Sequence, residues 1–446
     1  MKAKKATKGN KRWLAAAAAG LTSLAAGQVY AAGYSLKEQS AALQGASFAG
    51  AAAKAEDAST IFYNPAGISR LDGYQFVQSG AYIMPTATFS GGSATRARSY
   101  GGSTISGPTS EGDAVADAAI GSTYFSAKLD PNWSVGLAIT VPWGLITEYD
   151  ADWMGRYHGL KSSMRSLNIN PVVSYRVNDK LSVAGGVQIQ RMSAHLTNMV
   201  DFGTIIGRPG RADGFADIKG DDWGYGYNAG ILWEPLPTTR FGLNFRSAVF
   251  HELDGTATFN NVPAVPALRA SFANTGAKAK VATPEYVMFG AYHEINPQWA
   301  VMFEASWTNW SRFKQLVISF DNPLRAASVT EENWQDSWFT AIGVEYKAND
   351  KWTLRTGVAY DSAPTPNEDR TPRIPDSDRI WGSVGATYKF NEKYSVSAAY
   401  THIWAKEGKV DLHDTGAGSS NNLRGNLSGS YDAHVDIVSL QVSAKF

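Results

Sequence analysis

The chain of 446 residues has no cysteine. It therefore has neither disulfide staples nor thiolate metal sites, and it can pass through an oxidising compartment without mispairing. Charge is scarce too: 41 Lys and Arg against 40 Asp and Glu leave a net +1, and only 18% of residues are charged. That balance lacks the basic excess a phosphate backbone demands, so nucleic acid is not an expected partner. After the first thirty residues no apolar run reaches the roughly 18 residues of a transmembrane helix. No linker divides the length into soluble domains.

The amino end carries Lys2, Lys4, Lys5, Lys8, Lys11 and Arg12 before an apolar run from Trp13 to Ala26. A basic start, a short apolar stretch and small residues at Val29-Tyr30-Ala31 predict a secretory signal peptide over residues 1–31, cleaved after Ala31. The exported remainder is then either a soluble protein or a barrel.

From residue 73 onward, segments near ten residues long alternate apolar and polar positions. Trp133, Val135, Leu137, Ile139 and Val141 share one face; so do Trp352, Leu354, Val358 and Tyr360, and likewise Tyr394, Val396, Ala398 and Tyr400. Such alternation suits strands with one face to lipid and one to a lumen, although a soluble sandwich alternates similarly. Fourteen segments are expected, near 74–89, 118–128, 133–142, 164–176, 180–196, 222–234, 239–254, 278–293, 298–314, 335–347, 351–361, 379–390, 393–405 and 431–446.

The connections discriminate between the two folds. Short turns such as Asp130-Pro131-Asn132, Asn178-Asp179, Asn296-Pro297, Asn349-Asp350 and Asn391-Glu392 alternate strictly with long loops. Short periplasmic turns and long external loops mark an outer-membrane barrel, whereas a sandwich has no reason to segregate loop length by strand end. Trp133, Trp299, Trp352 and Tyr394 follow the short turns by one or two residues, where amphipathic rings sit at a membrane interface. The expected fold is all-β, a 14-stranded antiparallel transmembrane β-barrel over residues 73–446, located in the bacterial outer membrane. Its last strand ends with Val438, Leu440, Val442, Ala444 and Phe446 on alternate positions, resembling the signal that barrel assembly machinery reads.

A barrel of this size needs water or a plug in its lumen. Residues 32–72 precede the first strand, include ten alanines between residues 33 and 71, and show no strand alternation. They are expected to form a compact, partly helical hatch within the lumen, the alternative being a periplasmic tail. Catalysis is not expected: His251-Glu252 and His293-Glu294 both lack the second His four residues on that a metalloprotease helix requires, and no cofactor is implied. A general diffusion porin with a water-filled lumen is the remaining rival, distinguished by its usual sixteen or more strands.

The mature start Ala32-Gly33-Tyr34, the motif Asn64, Pro65, Ala66, the stretch from Trp223 to Gly230, the stretch from Trp307 to Leu316, and Ile374-Pro375-Asp376 through Arg379 resemble, in this order, the FadL family of outer-membrane long-chain fatty acid and hydrocarbon transporters. The likeness spans the mature chain. It implies a monomeric barrel closed by an N-terminal hatch that passively takes up hydrophobic small molecules. It implies capture among external loops, passage to an inner pocket and sideways release into outer-membrane lipid through a kink in the third strand.

Several residues fit those roles. The third strand continues Val141-Pro142-Trp143-Gly144-Leu145-Ile146. Proline cannot donate to a ladder and glycine tolerates a bulge, so Pro142, Gly144 and Ile146 are expected at an interruption, which is either a lateral gate or the strand's end. Trp143, Leu145, Trp153 and Tyr157 are expected either in a capture groove or as interface anchors. Strand parity places Arg246, Glu304, Glu345 and Arg355 inward as a charge network bracing wall and hatch. Arg312 and Lys314 also have inward parity and are candidates for a ligand carboxylate, while Arg191 falls outward.

Overall fold

The computed structural model describes residues 33–416 and 418–446. The expected signal peptide and Ala32 lie outside the described residues. The wall is one antiparallel sheet closed on itself. Its fourteen strands begin with Tyr74–Thr95, Ala118–Lys128, Trp133–Thr140, Lys161–Asn178, Leu181–Asp201 and Asp213–Leu236. The seventh runs as Thr239–Arg246 and Val249–Asn260, and the eighth as Thr275–Thr283 and Tyr286–Glu294. Then come Trp299–Thr308, Ser337–Lys347, Trp352–Asp361, Arg379–Lys389, Tyr394–Ala405 and Asn426–Lys445. Closure is made by the first and last strands, paired from Gln75↔Lys445 to Thr95↔Asn426. A closed sheet leaves no unpaired edge, which is what lets strands cross a bilayer.

The short turns share one device. The side-chain Oδ1 of Asp130, Asn296, Asn349 and Asn391 each accepts the backbone N–H groups two and three residues on, at 2.8–3.0 Å. The Asx turn reverses the chain and leads directly into Trp133, Trp299, Trp352 or Tyr394, all exposed on the outer face. These rings lean on cross-strand aromatics, Trp133 on Tyr175 at 4.7 Å, Trp299 on Tyr346 at 4.5 Å and Trp352 on Tyr388 at 4.8 Å. Together they form one of the two interfacial girdles of a membrane barrel.

The strands reach beyond the expected segments at their external ends: the fourth starts at Lys161 and the sixth at Asp213. Alternation fades there because both faces of these extensions meet water or loops rather than lipid and lumen. The seventh to ninth strands are each broken once, around Ser247, Pro284 and the 3-10 turn Trp310–Arg312.

Residues 33–71 fill the lumen and are almost entirely buried. Alanine favours helix, yet only single turns form, Ala41–Gln44, Ala51–Lys54 and Thr60–Tyr63, followed by the 3-10 turn Pro65–Arg70. Ser47, Phe48 and Gly50, all with positive φ, separate the first two turns, Ala55, also with positive φ, ends the second, and extended Asn64 ends the third. The wall then takes up the freed polar groups: Gly50 N–H donates to Phe303 O at 3.1 Å, and Ala41 N–H to Ser79 Oγ at 3.1 Å. Small residues let backbone meet backbone. A Cβ on Gly242 would lie 1.8 Å from Ala52 O, and one on Gly357 would lie 2.2 Å from Ala46 O. The lumen therefore holds the hatch, not the open water column of a porin.

Candidate functional site

The third strand stops pairing at Thr140 and resumes as Gly144–Glu148. Against the fourth strand, Thr140 faces Asn168 and Gly144 faces Arg165, so four steps on one side oppose three on the other. The extra residue is a bulge, as Pro142 and Gly144 require. Ser166 closes this seam: its Oγ accepts from Trp143 N–H at 2.9 Å and donates to Trp143 O at 2.7 Å.

The seam with the second strand stays open. Its last ladder pair is Thr123↔Ile139, and the next contact is the isolated bridge Val115↔Thr147. Residues 116–122 have no ladder partner on the third strand.

The hatch occupies the inner side of this break. Leu36 N–H donates to Pro142 O at 2.8 Å and Gly144 N–H donates to Tyr34 O at 2.9 Å, around the bridge Ser35↔Trp143. Gln39 spans the gap itself. Its Nε2 donates to Val141 O at 2.8 Å, and its Oε1 accepts from Val141 N–H at 3.2 Å and from Ser122 Oγ at 2.6 Å. The Gln39 carbonyl also accepts from Tyr124 Oη at 2.9 Å. A side-chain amide thus takes the place of a peptide group between two strands.

A cavity lies directly behind, with about 20 Å³ of free volume, room for little more than one water. Leu36, Phe48, Phe62, Trp143, Met288 and Phe339 supply its apolar lining, and Lys37, Tyr286 and Glu304 its polar part. Beside Lys37, Glu38 is buried with neither carboxylate oxygen hydrogen-bonded. Burial pushes its carboxyl up to about 7, opposed by the nearby N–H of its own backbone, which is not in hydrogen-bond geometry, and by the charges of Lys37 and Arg379.

The remaining expected site residues divide. Trp143 and Leu145 are buried at the break, and Ile146, half-buried, pairs with Ser163 in the resumed strand. Trp153 and Tyr157 neither line an open groove nor anchor at an interface. Trp153 is stacked on Tyr149 at 4.4 Å, and the Tyr157 hydroxyl donates to Asp213 at 2.8 Å, both beneath the external loops. Arg312 and Lys314 are exposed rather than luminal, because the 3-10 turn resets strand parity; Arg312 pairs with Glu285 at 2.6 Å.

Of the four inward charges, Glu345 and Arg355 pair at 2.8 Å and meet two hatch residues the sequence reading did not single out, Lys54 and Glu56. Lys54 Nζ lies 2.5 Å from Glu345 and 2.6 Å from Glu56, so two cations and two carboxylates neutralise one another. Arg246 and Glu304 stand apart from that network. Arg246 donates to Gln188 and Asn170 at 2.9 Å each, and Glu304 accepts from Ala52 N–H at 3.1 Å. Asn64 holds the hatch's lower end by donating to Ala52 O at 2.7 Å and Ile231 O at 2.9 Å, and its Oδ1 caps the turn of Pro65 and Ala66.

Known proteins share this architecture. Residues 22–446 match the family described as Outer membrane protein transport protein (OMPP1/FadL/TodX). Outer membrane protein P1 of Haemophilus influenzae is 30% identical over 95% of this chain and 97% of its own. A long-chain fatty acid transport protein of Escherichia coli is 30% identical over 84% of this chain and 88% of its own. The crystal structure of a Pseudomonas aeruginosa FadL homologue superposes with a TM-score of 0.85 at 24% identity, covering 93% of this chain and all of that one. A matched family spanning the whole barrel and its hatch makes this chain a member of the OMPP1/FadL/TodX family: an outer-membrane transporter of hydrophobic compounds.

Proposed function

We propose that this barrel takes up long-chain fatty acids and releases them sideways into the outer membrane through the break between its second and third strands. The observation that carries this reading is the Gln39 closure: at the gap between Ser122 and Val141 the bridging side chain belongs to the hatch, so a hatch movement opens the wall there. Energetics favour that exit. Water rejects hydrocarbon by about 0.8 kcal/mol per methylene, so release of a long acyl chain into an aqueous channel meets a barrier on the order of 10 kcal/mol. A lateral exit passes from an apolar pocket into lipid and avoids it.

The cavity behind the break combines Leu36, Phe48, Phe62 and Phe339 with Lys37 and Tyr286, a lining suited to a chain with an acidic head. The E. coli relative bears the name of a long-chain fatty acid transport protein. Uptake is passive and monomeric in this reading: the hatch yields to the ligand, and the cavity widens as residues 34–39 shift. The test is uptake of radiolabelled oleate against toluene by cells lacking their own carrier and expressing this chain. Oleate uptake above background supports the reading; uptake of toluene alone overturns the acidic substrate.

A further inference from the structure

The outer wall carries a charged depression that transport does not use. The fourth to seventh strands bring Ser163, Ser193, Gly220 and Gly255 together, and their small side chains leave a hollow of about 640 Å³. Its rim is Lys161, Arg165, His195 and Lys219. These side chains lie on the outward parity of their strands. On the same face, one to several residues further along each strand, stand Leu167, Val187, Trp223, Tyr225 and Phe250, the apolar surface that meets hydrocarbon. The hollow sits at the external end of the lipid-facing wall, because the fourth strand begins at Lys161 after a long external loop.

The acids of the hollow are already engaged. Asp221 pairs with Arg191 at 3.1 Å and Asp254 with Lys278 at 2.9 Å. Lys161 is held by Glu148 at 2.7 Å, while His195 and Lys219 share one carboxylate, Asp217, at 3.0 and 3.2 Å. Arg165 is exposed, and among the described residues it has no ion-pair or hydrogen-bond partner. An outward arginine near lipid is costly in hydrocarbon and is relieved by an anion at the headgroup level. A guanidinium binds phosphate bidentately, and the Ser193 hydroxyl in the lining of the hollow is a further donor.

We propose that this hollow binds the phosphorylated headgroup of an outer-leaflet glycolipid, with Arg165 as the primary phosphate contact and Lys219 as the second. The site fastens the barrel to its lipid annulus on the face adjoining the third strand, since Arg165 pairs directly with Gly144 in the ladder.

Native mass spectrometry of the purified full-length protein, titrated with bis-phosphorylated lipid A, its dephosphorylated form and inorganic phosphate, tests this. Lipid A is expected to bind about tenfold more tightly than the dephosphorylated form, the difference one charge-assisted contact makes. The double variant Arg165→Gln, Lys219→Gln should lose about that factor, while Lys280→Gln, outside the hollow, keeps it. Equal binding of the dephosphorylated lipid, or an unchanged double variant, overturns the proposal. Displacement of the lipid by millimolar inorganic phosphate overturns it as well, making the hollow a free-anion site.

Discussion

Gln39 joins three groups that no other described side chain satisfies together, the amide and carbonyl of Val141 and the hydroxyl of Ser122. Gln39→Ala strands them at a buried seam, at a cost of about 1–3 kcal/mol. Backbone amide exchange at Val141 and over residues 34–39 is expected to accelerate in this variant, and labelled fatty acid uptake at limiting ligand to rise; unchanged exchange would refute the latch role. Glu38 acts through charge. Its carboxyl is raised in the folded hatch from about 4.5 to about 7, so the docked state binds more protons than the undocked state between those values, and docking weakens as pH rises through that window. Below it the carboxyl is neutral in both states. The change amounts to no more than about 3 kcal/mol. Hatch protection from added protease should therefore be greater at pH 5 than at pH 8, and Glu38→Gln should make the two alike.

At the scale of elements, the third strand and the hatch form one working unit. A Cβ on Gly144 would touch Leu36 Cδ1 at 3.1 Å, so any side chain there presses on the hatch segment that lines the break. Gly144→Arg is expected to abolish uptake while the barrel still shows the heat-dependent gel shift of a folded outer-membrane protein. Normal uptake by that variant would count against lateral release. On the wall opposite the alanines, Gly242→Ala places a methyl within 1.8 Å of Ala52 O, and the hatch must move to admit it. Overpacking of this kind costs about 1–3 kcal/mol, and it should appear as faster proteolysis of residues 33–71 with the barrel intact.

The whole molecule is a rigid cylinder with a weaker insert. Hydrogen-bonded closure from Gln75↔Lys445 to Thr95↔Asn426 fixes the wall. The insert is held by dispersed hydrogen bonds and by the network of Lys54, Glu56, Glu345 and Arg355. Removing one member leaves an uncompensated buried charge, worth about 3–5 kcal/mol. In planar bilayers the intact protein should be nearly silent, Lys54→Met should flicker, and deletion of residues 33–71 should give a steady ionic current. A large steady current from the intact protein would remove the hatch from the mechanism.

Strand number, turn position and the aromatic girdle are local properties, and the chain alone determined them: period-two alternation, Asx residues at the turns and the rings that follow need no distant partner to be recognised. Pro142 and Gly144 marked the break for the same local reason, since proline restricts its own backbone and lacks the N–H while glycine frees its own. What lay beyond local reading was anything set by a partner hundreds of residues away. Gln39 was one polar residue in an alanine-rich stretch until the seam between Ser122 and Val141 placed it. Lys54 and Glu56 did carry a signal, because charges inside a plug must be paired, but their partners Glu345 and Arg355 became identifiable only once the wall closed around them. Arg312 and Lys314 misled because parity survives only while a strand is unbroken, and the 3-10 turn at Trp310 is stabilised by packing against Tyr34 and Trp334, at 4.6 and 5.0 Å, which bring together three distant parts of the chain.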